Sequence, residues 1–134
     1  MENLEIIALA RKATRLSYSP YSKFRVGAII LTKNGNIFEG ANIENSSYSC
    51  CMCAERNAIY NAYMHGFRKE DLSILCIVAD TKEPVSPCGA CRQVISELFP
   101  TTGKIILGTL NSDSFIETNI NNLLPNSFNG DVLL

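Results

Sequence analysis

The run SILCIVA, residues 73–79, is apolar after its first residue and has the length of a strand. A strand with one wet face alternates apolar and polar residues. An unbroken run fits a strand covered on both faces, which is the signature of an α/β sheet. The segments on either side supply the covers. Before it, AERNAIYNAYMHG (54–66) predicts a helix with Ala54, Ala58, Ile59, Ala62 and Tyr63 on one side and Gly66 as its stop. After it, GACRQVISELF (89–99) predicts a second helix, ended by Pro100. Further upstream, residues 25–32 and 36–43 flank Asn34-Gly35, a strong signal for a tight hairpin turn. Residues 3–18 predict a helix that Pro20 stops, with Leu4, Ile7, Ala8, Arg11 and Thr14 on related faces. Downstream, KIILGTL (104–110) and FIET (115–118) predict strands, and INNLLPNSF a weakly helical tail. The order α-β-β-α-β-α-β-β predicts a layered α/β domain. No repeat, low-complexity segment or internal boundary appears, so residues 1–134 are expected to form a single domain.

The totals narrow the function classes. With 46% hydrophobic residues the chain can build a core, and its net charge is -1. Nucleic acid is not the expected partner, because phosphate neutralisation calls for a basic face. No apolar run reaches the roughly 20 residues of a membrane span. The start, MENLEIIALARKATRLSYSP, has Glu2 and Glu5 where a secretory signal would be basic. A cytoplasmic protein is expected, and there six cysteines point to metal ligands, catalytic groups or free thiols before disulfides.

Cysteines cluster twice. Cys88 and Cys91 form a Cys-x-x-Cys opening the predicted helix 89–99, and Cys50, Cys51 and Cys53 precede the helix at 54. A helix N-terminus favours thiolates. Three readings fit. Cys50, Cys53, Cys88 and Cys91 could close a structural zinc site. Cys88 and Cys91 could be a thioredoxin-like redox pair. Or Cys53, Cys88 and Cys91 alone hold zinc and leave a fourth position to water, as a catalytic zinc requires. Glu55 favours the third. It follows Cys53 by two residues, an awkward place for a ligand but a good one for bonding a zinc-held water. The pattern of a ligand, x, Glu and a later Pro-Cys-x-x-Cys is the known signature of zinc deaminases. Three thiolates around zinc leave a net charge of about −1, more negative with hydroxide. Arg56 and Arg92 could offset it through bonds to sulfur, or could be solvated surface charges.

Five further segments give the chain a family likeness: YSPYSKFRVGAII (18–30), GANIENSSY (40–48), CAERNAI (53–59), PVSPCGACRQVISE (84–97) and LLPNSF (123–128). Over roughly residues 5–128 the chain resembles the homotetrameric zinc-dependent cytidine deaminases of pyrimidine salvage. The resemblance implies a three-layer αβα sandwich around a mixed five-stranded sheet. It implies one Zn2+ per chain on Cys53, Cys88 and Cys91, with Arg56 neutralising the thiolates. It implies hydrolysis of cytidine and deoxycytidine to uridine and deoxyuridine by a zinc-activated hydroxide, with Glu55 shuttling protons. Asn42 and Glu44 would hold the ribose hydroxyls and Phe24 would pack on the nucleoside. The backbones of Ala54 and Ser86 would meet the base edge. Tyr48 and Phe128 would reach into a neighbouring subunit's site. Ala41 stands where the family often has cysteine.

Other residues read as bystanders. Cys50 and Cys51 look like extra thiols in a variable loop, Cys76 a small core residue, and His65 a helix-end residue. Three rivals remain. A polynucleotide-editing deaminase would need a basic groove and usually a His-x-Glu ligand. An antibiotic-nucleoside deaminase would lack a reason for the intact Asn-Ile-Glu-Asn. A zinc-stabilised binding module would be indifferent to Glu55→Gln.

Overall fold

The computed structural model spans residues 1–134. Helix α1 is Asn3–Ala13, continued by a 3-10 turn over Thr14–Leu16. Strands β1 (Val26–Thr32) and β2 (Ile37–Ala41) follow, then α2 (Ala54–Met64), β3 (Leu72–Ala79), α3 (Gly89–Leu98), β4 (Lys104–Thr109), β5 (Ile116–Thr118) and the one-turn α4 (Ile120–Leu123). The five strands form one sheet in the order β2-β1-β3-β4-β5. Only β3 and β4 run parallel; the other neighbours are antiparallel. The sheet is mixed, as the resemblance implied.

Alternation within each strand sorts the core into two layers. Ile29, Cys76, Val78 and Ile106 face α1, where they meet Ile6, Ile7 and Ala10. Ala28, Ile30, Leu75, Ile77, Ile105 and Leu107 face the other way, onto α2 and α3. The central strand β3 is therefore covered on both sides, and the fold is the expected three-layer α/β/α sandwich. Burial pushes the Cys76 thiol up to about 12. It stays a protonated core side chain, as its place in an apolar strand suggested.

Two details differ from expectation. Regular α1 ends at Ala13, not near residue 18, where Thr14 Oγ1 turns back to the Arg11 carbonyl at 2.7 Å. Its buried face is Ile6, Ile7, Ala10 and Ala13, while Leu4 and Ala8 lie in solvent. Both stripes have helical spacing, and docking onto the sheet selects between them. The hairpin turn is as expected, with Gly35 at φ 93.

The site lies at the end of the sheet where β3 finishes. Val26 pairs with Ala79, and Gly27 with Ala41, so β1 begins and β2 ends at that same edge. The loops leaving it lead into the N-termini of α2 and α3. Such a carboxyl edge is where open α/β sheets place their ligands.

Candidate metal centre

Cys53 is the N-cap of α2, Cys88 the N-cap of α3, and Cys91 lies in the first turn of α3. The three sulfurs all fall within 4.8 Å of one another. Cys53 Sγ is 3.9 Å from Cys88 Sγ, and Cys88 Sγ is 3.4 Å from Cys91 Sγ. A tetrahedral zinc with bonds of about 2.3 Å spaces its sulfurs about 3.8 Å apart. The donor set and its geometry fit zinc. The exposed Cys50 is not part of the group, which rules against the four-cysteine site. A third sulfur at the Cys-x-x-Cys likewise rules against a simple redox pair.

The electrostatics favour thiolate at Cys53, while the bond to Cys53 and burial hold the Cys91 thiol above its ordinary value. Two helix N-termini end at the sulfurs, and neither N-cap cysteine spends its side chain on capping. The Cys53 thiol is pulled down to about 5, first by the bond from Cys91 and then by Arg56, against the opposing effect of burial. Arg56 Nη2 donates to Cys53 Sγ at 3.5 Å, and that contact raises its own pKa. Its Nε is buried with no partner, a donor best tolerated beside negative sulfur. Arg92 does not join it. Its guanidinium donates to the Pro87 carbonyl at 2.8 Å and the Leu123 carbonyl at 2.7 Å. The notion that it bonds sulfur is corrected: from the first turns of α3 the side chain sweeps over carbonyls.

Beside the sulfurs lies a cavity of about 310 Å³, the size of a small-molecule site. Its wall includes Phe24, Asn42, Glu44, Ala54, Glu55 and Ser86, together with Cys53 and Cys88. Six candidates scattered over more than sixty residues thus meet in one pocket. Glu55 is 4% exposed. Burial holds its carboxyl above the ordinary value, and the charge of Cys53 adds to the rise. A carboxyl so placed is within reach of a proton to take and return.

Asn42 and Glu44 do more than face the cavity. Asn42 Oδ1 accepts from the Val26 N–H at 2.9 Å and from Ser17 Oγ at 2.6 Å, while Nδ2 donates to the Phe24 carbonyl at 2.7 Å. Glu44 Oε1 accepts from the N–H groups of Tyr21 and Ser22 at 3.0 and 3.2 Å, and Oε2 from the Ser22 hydroxyl. The Ser22 hydroxyl also accepts from the Phe24 N–H at 3.0 Å. Neither Ser17 nor Ser22 is among the candidates read from the sequence, although Ser22 lies within the segment 18–30.

Two candidates stay outside the cavity. Tyr48 is 80% exposed and Phe128 61%. Tyr48 lines a neighbouring hollow of about 280 Å³ that shares Glu44 and Cys51 with the main one. Cys51, expected to be a bystander, is part of both walls, and its sulfur accepts from the Asn45 N–H at 3.3 Å.

Three zinc-spaced thiols with a buried carboxylic acid in the wall beside them define a zinc-dependent hydrolytic deaminase site. The cytidine and deoxycytidylate deaminase zinc-binding region matches residues 1–109. Cytidine deaminase of Halalkalibacterium halodurans is 47% identical over 131 residues, covering 98% of this chain and 97% of that protein. That of Sporosarcina psychrophila is 46% identical over 133 residues, covering 99% and 96%. The crystal structure of cytidine deaminase from Burkholderia pseudomallei superposes with a TM-score of 0.92 at 39% identity, covering 96% of this chain and all of that one. The chain belongs to the zinc-dependent cytidine deaminase family, and Cys53, Cys88 and Cys91 hold one zinc ion per chain.

Proposed function

We propose that the chain, as one deaminase domain over residues 1–134, hydrolyses cytidine and deoxycytidine to uridine and deoxyuridine with release of ammonia. The observation that carries this is Glu55: 4% exposed, with a raised carboxyl pKa, in the wall of the cavity that Cys53 and Cys88 also line. When bound, zinc supplies the Lewis acidity that brings a water within reach of deprotonation near pH 7. Glu55 takes the proton of that water as its oxygen adds to C4 of the base, and passes the proton to N3. A second proton moves through Glu55 to the amino group, which leaves as ammonia. Arg56 offsets the excess charge of three thiolates.

Phe24 packs on the nucleoside, Asn42 and Glu44 hold the ribose hydroxyls, and the backbones of Ala54 and Ser86 meet the base edge. The acceptor-rich Glu44 also repels phosphate, which favours nucleosides over nucleotides. Tyr48 and Phe128 complete the site of a neighbouring subunit in a homotetramer; their high exposure in the single chain is consistent with that. The enzyme serves pyrimidine salvage in the cytoplasm. No helix is long and apolar enough to cross a membrane.

The test is ultraviolet absorbance of cytidine, deoxycytidine and their monophosphates incubated with the zinc-loaded protein and with Glu55→Gln. Only the nucleosides are consumed, and only by the unmodified protein. Glu55→Gln keeps one zinc per chain and loses at least about a thousandfold in turnover, the range of general acid–base and electrostatic contributions lost together. Equal turnover by both proteins would reject the role of Glu55.

A further inference from the structure

We infer that Arg92 is a positioning residue, the anchor of the cavity wall that carries the zinc ligand Cys88. The wall is the second half of the loop from β3 to α3, and the two halves of that loop are held very differently. The first half is tied down repeatedly. Thr109 Oγ1 and Asn111 Nδ2 both donate to the Thr81 carbonyl, Ser112 Oγ to the Lys82 carbonyl, and Thr81 Oγ1 to the Glu83 carbonyl. From Pro84 to Pro87 a single hydrogen bond remains, Arg92 Nε to the Pro87 carbonyl at 2.8 Å. Yet Val85, Ser86, Pro87 and Cys88 all line the substrate cavity.

Pro87 is buried, so its carbonyl has little water to fall back on. Pro84 and Pro87 restrict the backbone but bring no donor. Cys88 itself is exposed, the least enclosed of the three ligands. Arg92 grips it from two sides: its backbone N–H donates to the Cys88 carbonyl at 3.0 Å while its Nε holds the preceding peptide. The far arm, Nη1, bonds the Leu123 carbonyl at 2.7 Å and joins the wall to α4, just ahead of Phe128. A planar guanidinium serves both carbonyls at once; an ammonium would have to choose.

The test compares Arg92→Met and Arg92→Lys with the unmodified holoenzyme. One readout is the rate of zinc transfer to a colorimetric chelator, which needs no turnover. The other is KM and kcat for cytidine. Losing a charged donor to a buried carbonyl predicts that Arg92→Met gives up zinc about tenfold faster and raises KM about tenfold. Arg92→Lys falls between, and kcat changes less than KM, because Glu55 is untouched. Unmodified zinc release and KM in folded Arg92→Met overturn the proposal. Should Arg92→Met fail to fold, Arg92→Lys decides: zinc release faster than that of the unmodified protein supports the anchor, and an unchanged rate rejects it. The KM arm rests on the proposed deaminase activity. If the unmodified protein shows no turnover, that reading fails, while the zinc-release arm still tests Arg92.

Discussion

Glu44 shows how much one side chain can be asked to do. The Ser22 hydroxyl, then the N–H groups of Ser22 and Tyr21, with Lys23 nearby, hold its carboxyl below the usual carboxylate range. A lowered pKa means that the group loses its charge only at pH values below that range, so it stays ionised throughout neutral and mildly acid solution. If Glu44 holds the ribose hydroxyls as proposed, its contribution to KM for cytidine should be flat from pH 8 down to about 5. Glu44→Gln should raise KM roughly tenfold at all these values, since one charged acceptor is replaced by a neutral group. Initial rates across pH check both statements, and a KM that climbs between pH 7 and 5 would contradict the first. Asn42 illustrates the same economy. Its amide pins Phe24 and Val26 in place and keeps a second N–H for the ribose hydroxyl proposed above.

At the scale of elements, the site depends on how closely α2 approaches β2. A Cβ on Gly40 would sit 2.3 Å from the Ala58 nitrogen and 2.4 Å from the Ala54 carbonyl oxygen. Both are helix backbone, which cannot swing aside as a side chain can. Asn57 and Asn61 reinforce the contact by donating to the Ala41 and Glu39 carbonyls at 2.8 and 3.1 Å. Gly40→Ala should therefore cost on the order of 3 kcal/mol, the upper part of the overpacking range. It should lower the melting temperature by about 10 °C in a chain of this size. Because Cys53 caps α2 and Glu55 lies in its first turn, the displacement also reaches the proposed chemistry. Differential scanning calorimetry with a zinc-content assay checks this; a melting temperature unchanged within a degree would show that the helix yields freely.

For the whole molecule, the surface is the informative part. Tyr48, Met64, Phe128, Val132 and Leu133 are large apolar residues left mostly in water by the single chain. If four chains assemble with composite sites, sedimentation equilibrium returns four times 14.8 kDa. Activity per chain then falls on dilution below the assembly range, since Tyr48 and Phe128 leave their neighbours' pockets. A fully active monomer would refute the composite site.

The helix at 54, the Cys-Ala-Glu and Pro-Cys-x-x-Cys spacings and the doubly covered strand around Cys76 were legible in the sequence. Each rests on local geometry, on what a residue does relative to neighbours three or four places away or on alternate faces of one strand. The buried stripe of α1, the carbonyl partners of Arg92 and the serine hydroxyls behind Asn42 and Glu44 were not. They arise only when segments far apart in the chain dock on the sheet. A helix with two plausible stripes, or an arginine with several acceptors in reach, carries no local mark of which will be taken. The choice belongs to long-range packing, and only the tertiary structure makes it.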